Sequence, residues 1–209
     1  MNLKNLTSRM KNARELMLLG VVTLMFVVMC FASPYFLSGA NLLAVLLSLS
    51  MEAIMVIGMV SLMVSGGFDM SVGSIVALSG GIAALLMKSG VPVWLSVVGG
   101  MATGALVGLF NGFAIAKLGI TPFVTTLASQ SMGRGLVLVF MNGKNISSLP
   151  ESFTWIGQAK LGPVQMPVIY MLILMIIGDF LLRRSRFFRQ NYYIGGNFKA
   201  AKLSGIHAE

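Results

Sequence analysis

Long apolar segments constrain the fold of this chain more than any other feature of its sequence. A helix needs about 20 mostly apolar residues to cross the hydrocarbon core of a bilayer. Six such segments lie at roughly 16–36, 42–65, 70–87, 92–116, 121–141 and 164–182. They predict an all-α, polytopic membrane protein with about six transmembrane helices.

The composition agrees with a lipid environment. Only 10% of the residues are charged and 56% are hydrophobic, whereas soluble domains carry about 25% charged residues. A chain this poor in charge cannot cover a globule with solvated side chains. Its single cysteine, Cys30, and single histidine, His207, exclude a disulfide framework and a Cys/His metal cluster within the chain. We therefore expect no metal site and no cofactor.

Lysine and arginine residues set the expected orientation, because six spans put both ends of the chain on one side. If that side is the cytoplasm, it holds eleven of these residues and the outside holds three, as the positive-inside rule requires. The same clustering argues against nucleic-acid binding despite the net charge of +9. We expect a cytoplasmic basic N-terminus at 1–15, a transmembrane region at 16–182 and a cytoplasmic segment at 183–209.

The junction between the second and third apolar segments contains residues that interrupt helices. The small residues of Ser65–Gly67 are followed by Asp69 and Ser71. A helix that is broken at membrane depth has to lie inside the protein or line a cavity. The region 61–86 is therefore predicted either as parts of two spans joined by a loop or as a discontinuous helix.

Small residues also repeat at helical spacing in the segment at 92–116. They are Gly99, Gly100, Gly104, Gly108 and Gly112. Such residues let neighbouring helices approach closely in a membrane. The pattern indicates either packing within one subunit or contact between two subunits.

Three ionisable residues fall inside apolar segments, where a charge needs a partner or a polar cavity. Asp179 lies four residues before Arg183, which is the spacing of a helical ion pair. Glu52 and Arg134 have no such local partner. We expect that they either pair with each other across helices or face a polar pathway.

The sequence has no recognisable catalytic constellation. It lacks the GxxxxGK[ST] motif that cradles nucleotide phosphates. We therefore expect that the protein is not an enzyme and that any ATP hydrolysis occurs on a separate subunit.

The residues after the last apolar segment form a basic cluster and then a short amphipathic stretch. Gly195 and Gly196 are expected to interrupt the chain, Asn197 to cap a short helix over 198–203, and Gly205 to end it. A helix of this kind suits docking into a groove of another protein. The alternative is a disordered tail.

Several motifs resemble one family of transporters. The stretch Ser65–Ser74, SGGFDMSVGS, looks like the GGIDLSVGS signature of ribose-type sugar ABC transporter permeases, with Phe68 and Met70 as mild departures. Further family motifs recur in order along the chain: Asn111-Gly112, Pro122-Phe123-Val124, Thr126-Leu127, Arg134-Gly135 and Asn142-Gly143. The stretch Gly195–Ile206 resembles the family's cytoplasmic coupling loop.

The resemblance implies a permease subunit of a binding-protein-dependent importer in the bacterial inner membrane. A second permease subunit, identical or paralogous, would complete the pathway. A periplasmic sugar-binding protein would deliver the solute, and a cytoplasmic ATPase subunit would drive transport. The residues expected to couple to the ATPase are Gly195, Gly196, Asn197, Ala200, Ala201, Leu203, Ser204 and Gly205.

Polar residues of the apolar segments are the candidates for the solute pathway, because a sugar needs many weak hydrogen bonds. They are Asp69, Ser71, Asn111, Thr125, Ser129 and Gln130. Two other hypotheses stay open. One is an ion-coupled carrier in which Glu52 or Asp69 binds the proton, and the other is a membrane protein that does not transport. Permeases of the family continue with further spans after the coupling loop, so the resemblance implies a truncated permease.

Overall fold

A computed structural model describes the backbone of residues 3–206 and the side chains of residues 15–206. Within this range the helices are α1 (Leu3–Ala32), α2 (Gly39–Val64), α3 (Val72–Lys88), α4 (Val93–Ala116), α5 (Pro122–Phe140), α6 (Glu151–Gln158), α7 (Met166–Arg184), α8 (Arg186–Gly196) and α9 (Phe198–Leu203). Two strands, β1 (Lys160–Leu161) and β2 (Val164–Gln165), form an antiparallel hairpin. The chain divides into two compact units, Met1–Ser48 and Leu49–Glu209.

The six predicted apolar segments correspond to α1, α2, α3, α4, α5 and α7. Four of these helices are long and apolar enough to cross a membrane: α1 through its Glu15–Ala32 part, α2, α4 and α7. Helix α3 is apolar but has only 17 residues, and α5 carries several polar residues. The prediction of an all-α, polytopic membrane protein is confirmed, while the count of six spans stays a prediction.

The first unit contains α1 and the beginning of α2, joined by a short turn. The rings of Phe26 and Phe36 meet edge to face, with 5.3 Å between their centroids. The side-chain amide of Asn41 donates to the backbone carbonyl of Phe36 over 2.7 Å. Large apolar side chains cover α1 and are exposed from Leu16 onward, which is the surface expected of a helix in contact with lipid.

The second unit is built around α3, which packs against both α4 and α5. Small residues make this approach possible. A Cβ on Gly100 of α4 would lie 2.7 Å from the backbone oxygen of Ser79, and one on Gly133 of α5 would lie 2.9 Å from the Ser74 hydroxyl. Gly100 and Gly104 therefore serve packing within this chain. Gly108 and Gly112, farther along α4, face open space.

The polar stretch after α5 has more structure than the sequence indicated. The apolar segments predicted at 121–141 and 164–182 leave the residues between them without a predicted element, but this stretch contains α6 and the strand β1. The left-handed backbone of Asn142, Gly143 and Gly162 makes its turns. The Tyr170 hydroxyl of α7 donates to the backbone oxygen of Ile156 over 3.3 Å, so α6 is tied to α7.

The segment after α7 confirms one local prediction and corrects another. Asn197 caps α9, its side chain accepting a hydrogen bond from the Ala200 amide over 3.0 Å, and Gly205 follows with a φ of 78°. Gly195 and Gly196, however, do not interrupt the chain before this cap. They form the last residues of α8, and Gly195 lies directly against the backbone at the end of α2.

We predict that Gly100→Ala lowers the thermal stability of the protein in detergent. The new methyl group would overlap Ser79, and overpacking a tight contact costs about 1–3 kcal/mol. Gly80→Ala is the matched control, because Gly80 lies in a helix with nothing near its Cβ position. A Tm that falls equally for both variants would contradict this account of the α3–α4 contact.

Candidate functional site

The turn that connects α2 with α3 is shaped by its glycines. Helix α2 ends in a Schellman arrangement, in which the Gly67 amide donates to the Leu62 oxygen and the Gly66 amide to the Met63 oxygen, each over 3.0 Å. Gly66 has a φ of 83°, a conformation that side chains disfavour. The sequence signature thus begins as a helix stop.

The next part of the signature fastens the start of α3. One carboxylate oxygen of Asp69 accepts hydrogen bonds from the backbone amide of Ser71 over 2.7 Å and from its hydroxyl over 2.5 Å. A carboxylate at a helix N-terminus also interacts favourably with the helix dipole. Asp69 therefore anchors α3 locally.

A chain of side-chain hydrogen bonds extends from this anchor across three elements. The Ser129 hydroxyl of α5 donates to the Asn111 side-chain oxygen of α4. The Asn111 amide donates to the Ser71 hydroxyl over 3.1 Å, and Ser71 in turn donates to Asp69. We call these four residues the polar relay. It joins the N-terminus of α3, the middle of α5 and the end of α4.

Three of the four relay residues are buried among the helices, and Asp69 is half-buried. Ser71 is 0% exposed, Asn111 4% and Ser129 5%. Buried polar groups have to be hydrogen-bonded, and a fully connected network specifies how its elements meet. Four of the six residues predicted to contact solute therefore form the hydrogen bonds that hold α3, α4 and α5 together.

The other two predicted pathway residues lie outside the relay. Thr125 is buried, and its hydroxyl has no hydrogen-bond partner. Gln130 is half-buried on the same helix. Neighbouring Thr126, which was not predicted as a site residue, is buried and donates to the backbone oxygen of Pro122 over 2.8 Å.

A cavity of about 580 Å³ opens beside the relay. Asp69 and Asn111 line one wall, and Gln190 and Asn191 of α8 line another. The other lining residues are Leu62, Ser65, Gly66, Gly67, Phe68, Gly108, Gly112, Ile115, Pro122, Thr126, Phe187, Ile194 and Phe198. The space exists partly because Gly108 and Gly112 have no side chains. The helical spacing of apolar residues in the basic cluster is a signal for α8. The contacts that make α8 a wall of this cavity could not be predicted from the sequence.

The three ionisable residues of the apolar segments behave differently. Arg183 donates to Asp179 over 2.7 Å, as the helical spacing indicated. Glu52 and Arg134 are both exposed on the surface of the chain. Among the residues with described side chains, no ion pair joins these two.

The predicted coupling residues surround a surface groove of about 420 Å³. Gly196, Asn197, Ala200, Ala201 and Ser204 line it, and Leu203 is 90% exposed beside it. Tyr192, Tyr193 and Ile206 complete the lining. The two tyrosines were not among the predicted site residues, since their role depends on α8. Over the described part of the chain, no group of three His, Cys, Asp or Glu residues could hold a metal ion.

The apolar helices and their buried polar bonds define a multi-pass α-helical membrane protein. Residues 41–209 match the family described as branched-chain amino acid transport system / permease component, and the chain belongs to this family.

Three relatives illustrate the similarity. The ribose import permease protein of Bacillus subtilis is 35% identical over 190 residues, which is 90% of this chain and 59% of the relative. The L-arabinose transport system permease protein of Escherichia coli is 34% identical over 189 residues, or 90% and 58%. The D-allose transport system permease protein of Escherichia coli is 34% identical over 173 residues, or 82% and 53%.

The chain therefore spans somewhat more than half the length of these curated relatives. No solved structure matches it significantly. The resemblance inferred from the ordered motifs, that to sugar permeases, is confirmed by these relatives.

We predict that Asn111→Leu destabilises the protein more than Thr103→Val does. The leucine leaves the buried Ser129 hydroxyl without its acceptor, and such an unsatisfied group costs about 1–3 kcal/mol. Thr103 is a fair control, because its hydroxyl bonds only to the Gly99 oxygen of its own helix. The measurement is the Tm in detergent, and equal shifts would argue that the relay does not join the helices.

Proposed function

We propose that this chain is a permease subunit of a binding-protein-dependent ABC importer. Its solute would be a monosaccharide or a similar small polar molecule, carried inward across the bacterial inner membrane. The observation that carries the proposal is membership of a permease family together with relatives named for ribose, arabinose and allose transport. No specific observation favours the ion-coupled carrier or the protein that does not transport.

The energy for transport comes from another subunit in this proposal. The chain has no phosphate-binding P-loop, so it would act as a partner of a cytoplasmic ATPase and not as an enzyme. The groove beside α9 supports this assignment, since it presents an exposed Leu203 and the aromatic Tyr192 and Tyr193. Exposed apolar and aromatic side chains around a groove are features of a docking surface.

A second permease subunit would enclose the rest of the pathway, and a periplasmic binding protein would load it from the outside. The exposure of Glu52 and Arg134 is an argument for a polar space beside this chain. A charge in the middle of a span is costly in lipid and is accommodated beside water or another protein surface. We propose that both residues face the pathway enclosed by the two subunits. We also propose that the residues before α1 and the residues after α7 lie on the cytoplasmic side.

The cavity beside the polar relay is the proposed passage for solute within this chain. Its volume lies in the range of about 300–1,000 Å³ that is usual for small-molecule sites. Polar residues such as Asp69 and Asn111 offer hydrogen bonds, and the nearby Phe68, Phe187 and Phe198 offer apolar faces. A sugar presents the same combination of hydroxyl groups and apolar ring faces. Thr125 and Gln130 are proposed as further contacts along α5.

The docking of the ATPase is tested by co-purification. We expect the ATPase subunit to purify with the intact chain and to be lost when 195–206 is deleted, because that segment carries the groove. Solute uptake should disappear with it. Uptake that continues without any ATPase subunit would sink the proposal.

The passage is tested by filling the cavity. We predict that Gly108→Leu lowers solute uptake at least tenfold, about the effect of 1.4 kcal/mol on the transport barrier, while the ATPase still co-purifies. Gly80→Leu places the same side chain on a helix surface with open space around it and should leave uptake near the wild-type rate. Unchanged uptake in Gly108→Leu would remove the cavity from the pathway.

A further inference from the structure

Helix α8 is fastened to the end of α2 by side-chain hydrogen bonds. The Asn191 side-chain amide donates to the Ser61 hydroxyl over 3.0 Å and lies 3.4 Å from the Ser61 backbone oxygen. Asn191 is half-buried. Removing the hydrogen-bond partner of a side-chain amide at such a position lowers the stability of the folded protein. These bonds join residues that are 130 positions apart in the sequence.

One turn farther along α8, the two backbones touch. A Cβ on Gly195 would overlap the backbone oxygen of Val64 and lie 3.1 Å from the carbonyl carbon of Ser65. A Cβ on Gly66 would lie 3.7 Å from the Cα of Gly195. Only glycine permits so close an approach at Gly195. The close contact falls on the first residues of the Ser65–Ser74 signature.

The contacts of Asn191 with Ser61 and of Gly195 with Val64 lie between the segment that leads to α9 and the turn that leads to the polar relay. On one side, Gly195 and Gly196 end α8, and Asn197 directly begins the coupling helix α9. On the other side, the turn Ser65–Ser71 leads to Asp69 and the polar relay. The junction is therefore a direct physical connection between α9 and the turn that leads to the relay and the cavity wall.

We infer that Asn191 and Gly195 are positioning residues that hold α8 rigidly to the end of α2, so that α8 and the Ser65–Ser71 turn move together during transport. This inference rests on the proposed function, because the movement originates at the proposed ATPase partner. Neither residue contacts the ATPase or the relay in this role. Each transmits force by keeping one helix seated on another.

The first test separates coupling from docking. Ser61→Ala removes the hydroxyl that accepts the shorter hydrogen bond and leaves Asn191, which lines the cavity, unchanged. In the complete transporter we expect the ATPase to co-purify and to hydrolyse ATP, while solute uptake per ATP hydrolysed falls about two- to tenfold, the equivalent of one net hydrogen bond. An unchanged ratio of uptake to hydrolysis would overturn the inference.

The second test restores the junction covalently. In a Cys30→Ser background, Ser61→Cys and Asn191→Cys are joined by a short bis-methanethiosulfonate linker that reduction removes. We expect the linked protein to transport with a higher ratio of uptake to hydrolysis than the reduced one. Adding Gly195→Ala should slow the linking reaction, whereas Gly196→Ala should not, since Gly196 has nothing near its Cβ position.

Each other outcome is decisive. If the thiols cannot be linked, α8 does not sit on α2 in the membrane. If linking blocks uptake, the two helices have to separate during transport and the rigid junction is wrong. If linking succeeds but no ATPase associates even with the unaltered chain, the proposed function fails and takes the coupling role with it, while the contact itself stands.

Discussion

A polar group buried among membrane helices needs a hydrogen-bond partner, and the packing of the second unit depends on how the polar relay meets this need. Ser129, Asn111, Ser71 and Asp69 come from three separate helices or their ends, and each satisfies the next. In lipid the hydrophobic effect does not drive helices together. Polar bonds and close contacts at glycines therefore decide which helices are neighbours, and both occur where α3 meets α4 and α5.

The relay also explains why the signature turn has its composition. Gly66 and Gly67 stop α2 with the left-handed residue that the Schellman arrangement requires. Asp69 precedes α3, anchors Ser71 at its N-terminus and provides the terminal acceptor of the relay. Within a few residues, the turn thus ends α2 and supplies a hydrogen-bond acceptor for the start of α3. Gly66 also lies against α8, with 3.7 Å between its Cβ position and the Cα of Gly195, so the turn contacts α8 as well as the helices of the relay.

The sequence was sufficient for much of this architecture. Apolar length located six of the helices within a few residues, apart from the start of α1, which lies at Leu3. The spacing of Asp179 and Arg183 predicted their ion pair correctly. Asn197 and Gly205 were assigned their local roles because capping depends on neighbours in sequence. The relay was not predictable as a network, since its bonds join residues 18 and 40 positions apart. Its residues were named, but the chemistry expected of them was contact with solute.

Helix α8 was missed because its residues resemble a loop when they are taken alone. Its apolar residues have helical spacing, but arginines and two terminal glycines suit a loop equally well, and the sequence does not show which residues meet α2 and the cavity. Gly195 illustrates why the sequence alone did not predict α8. Glycine is a helix breaker by intrinsic preference, but here the absence of a side chain is what allows the helix to seat, and only the neighbouring backbone reveals that.

The direction of the hydrogen bonds in the relay determines which donor and acceptor groups it presents to the cavity. A carboxylate only accepts hydrogen bonds, so Asp69 fixes the donor direction of Ser71, then the orientation of the Asn111 amide, and finally the hydroxyl rotor of Ser129. The amide of Asn111 cannot flip without breaking two bonds. The side chains therefore hold one hydrogen arrangement and do not reorient as water would. The second amide hydrogen of Asn111 and the second oxygen of Asp69 take no part in the relay, which leaves one donor and one acceptor held at a fixed separation. If the cavity is the passage proposed above, this pair would discriminate among solutes by the spacing of their hydroxyl groups.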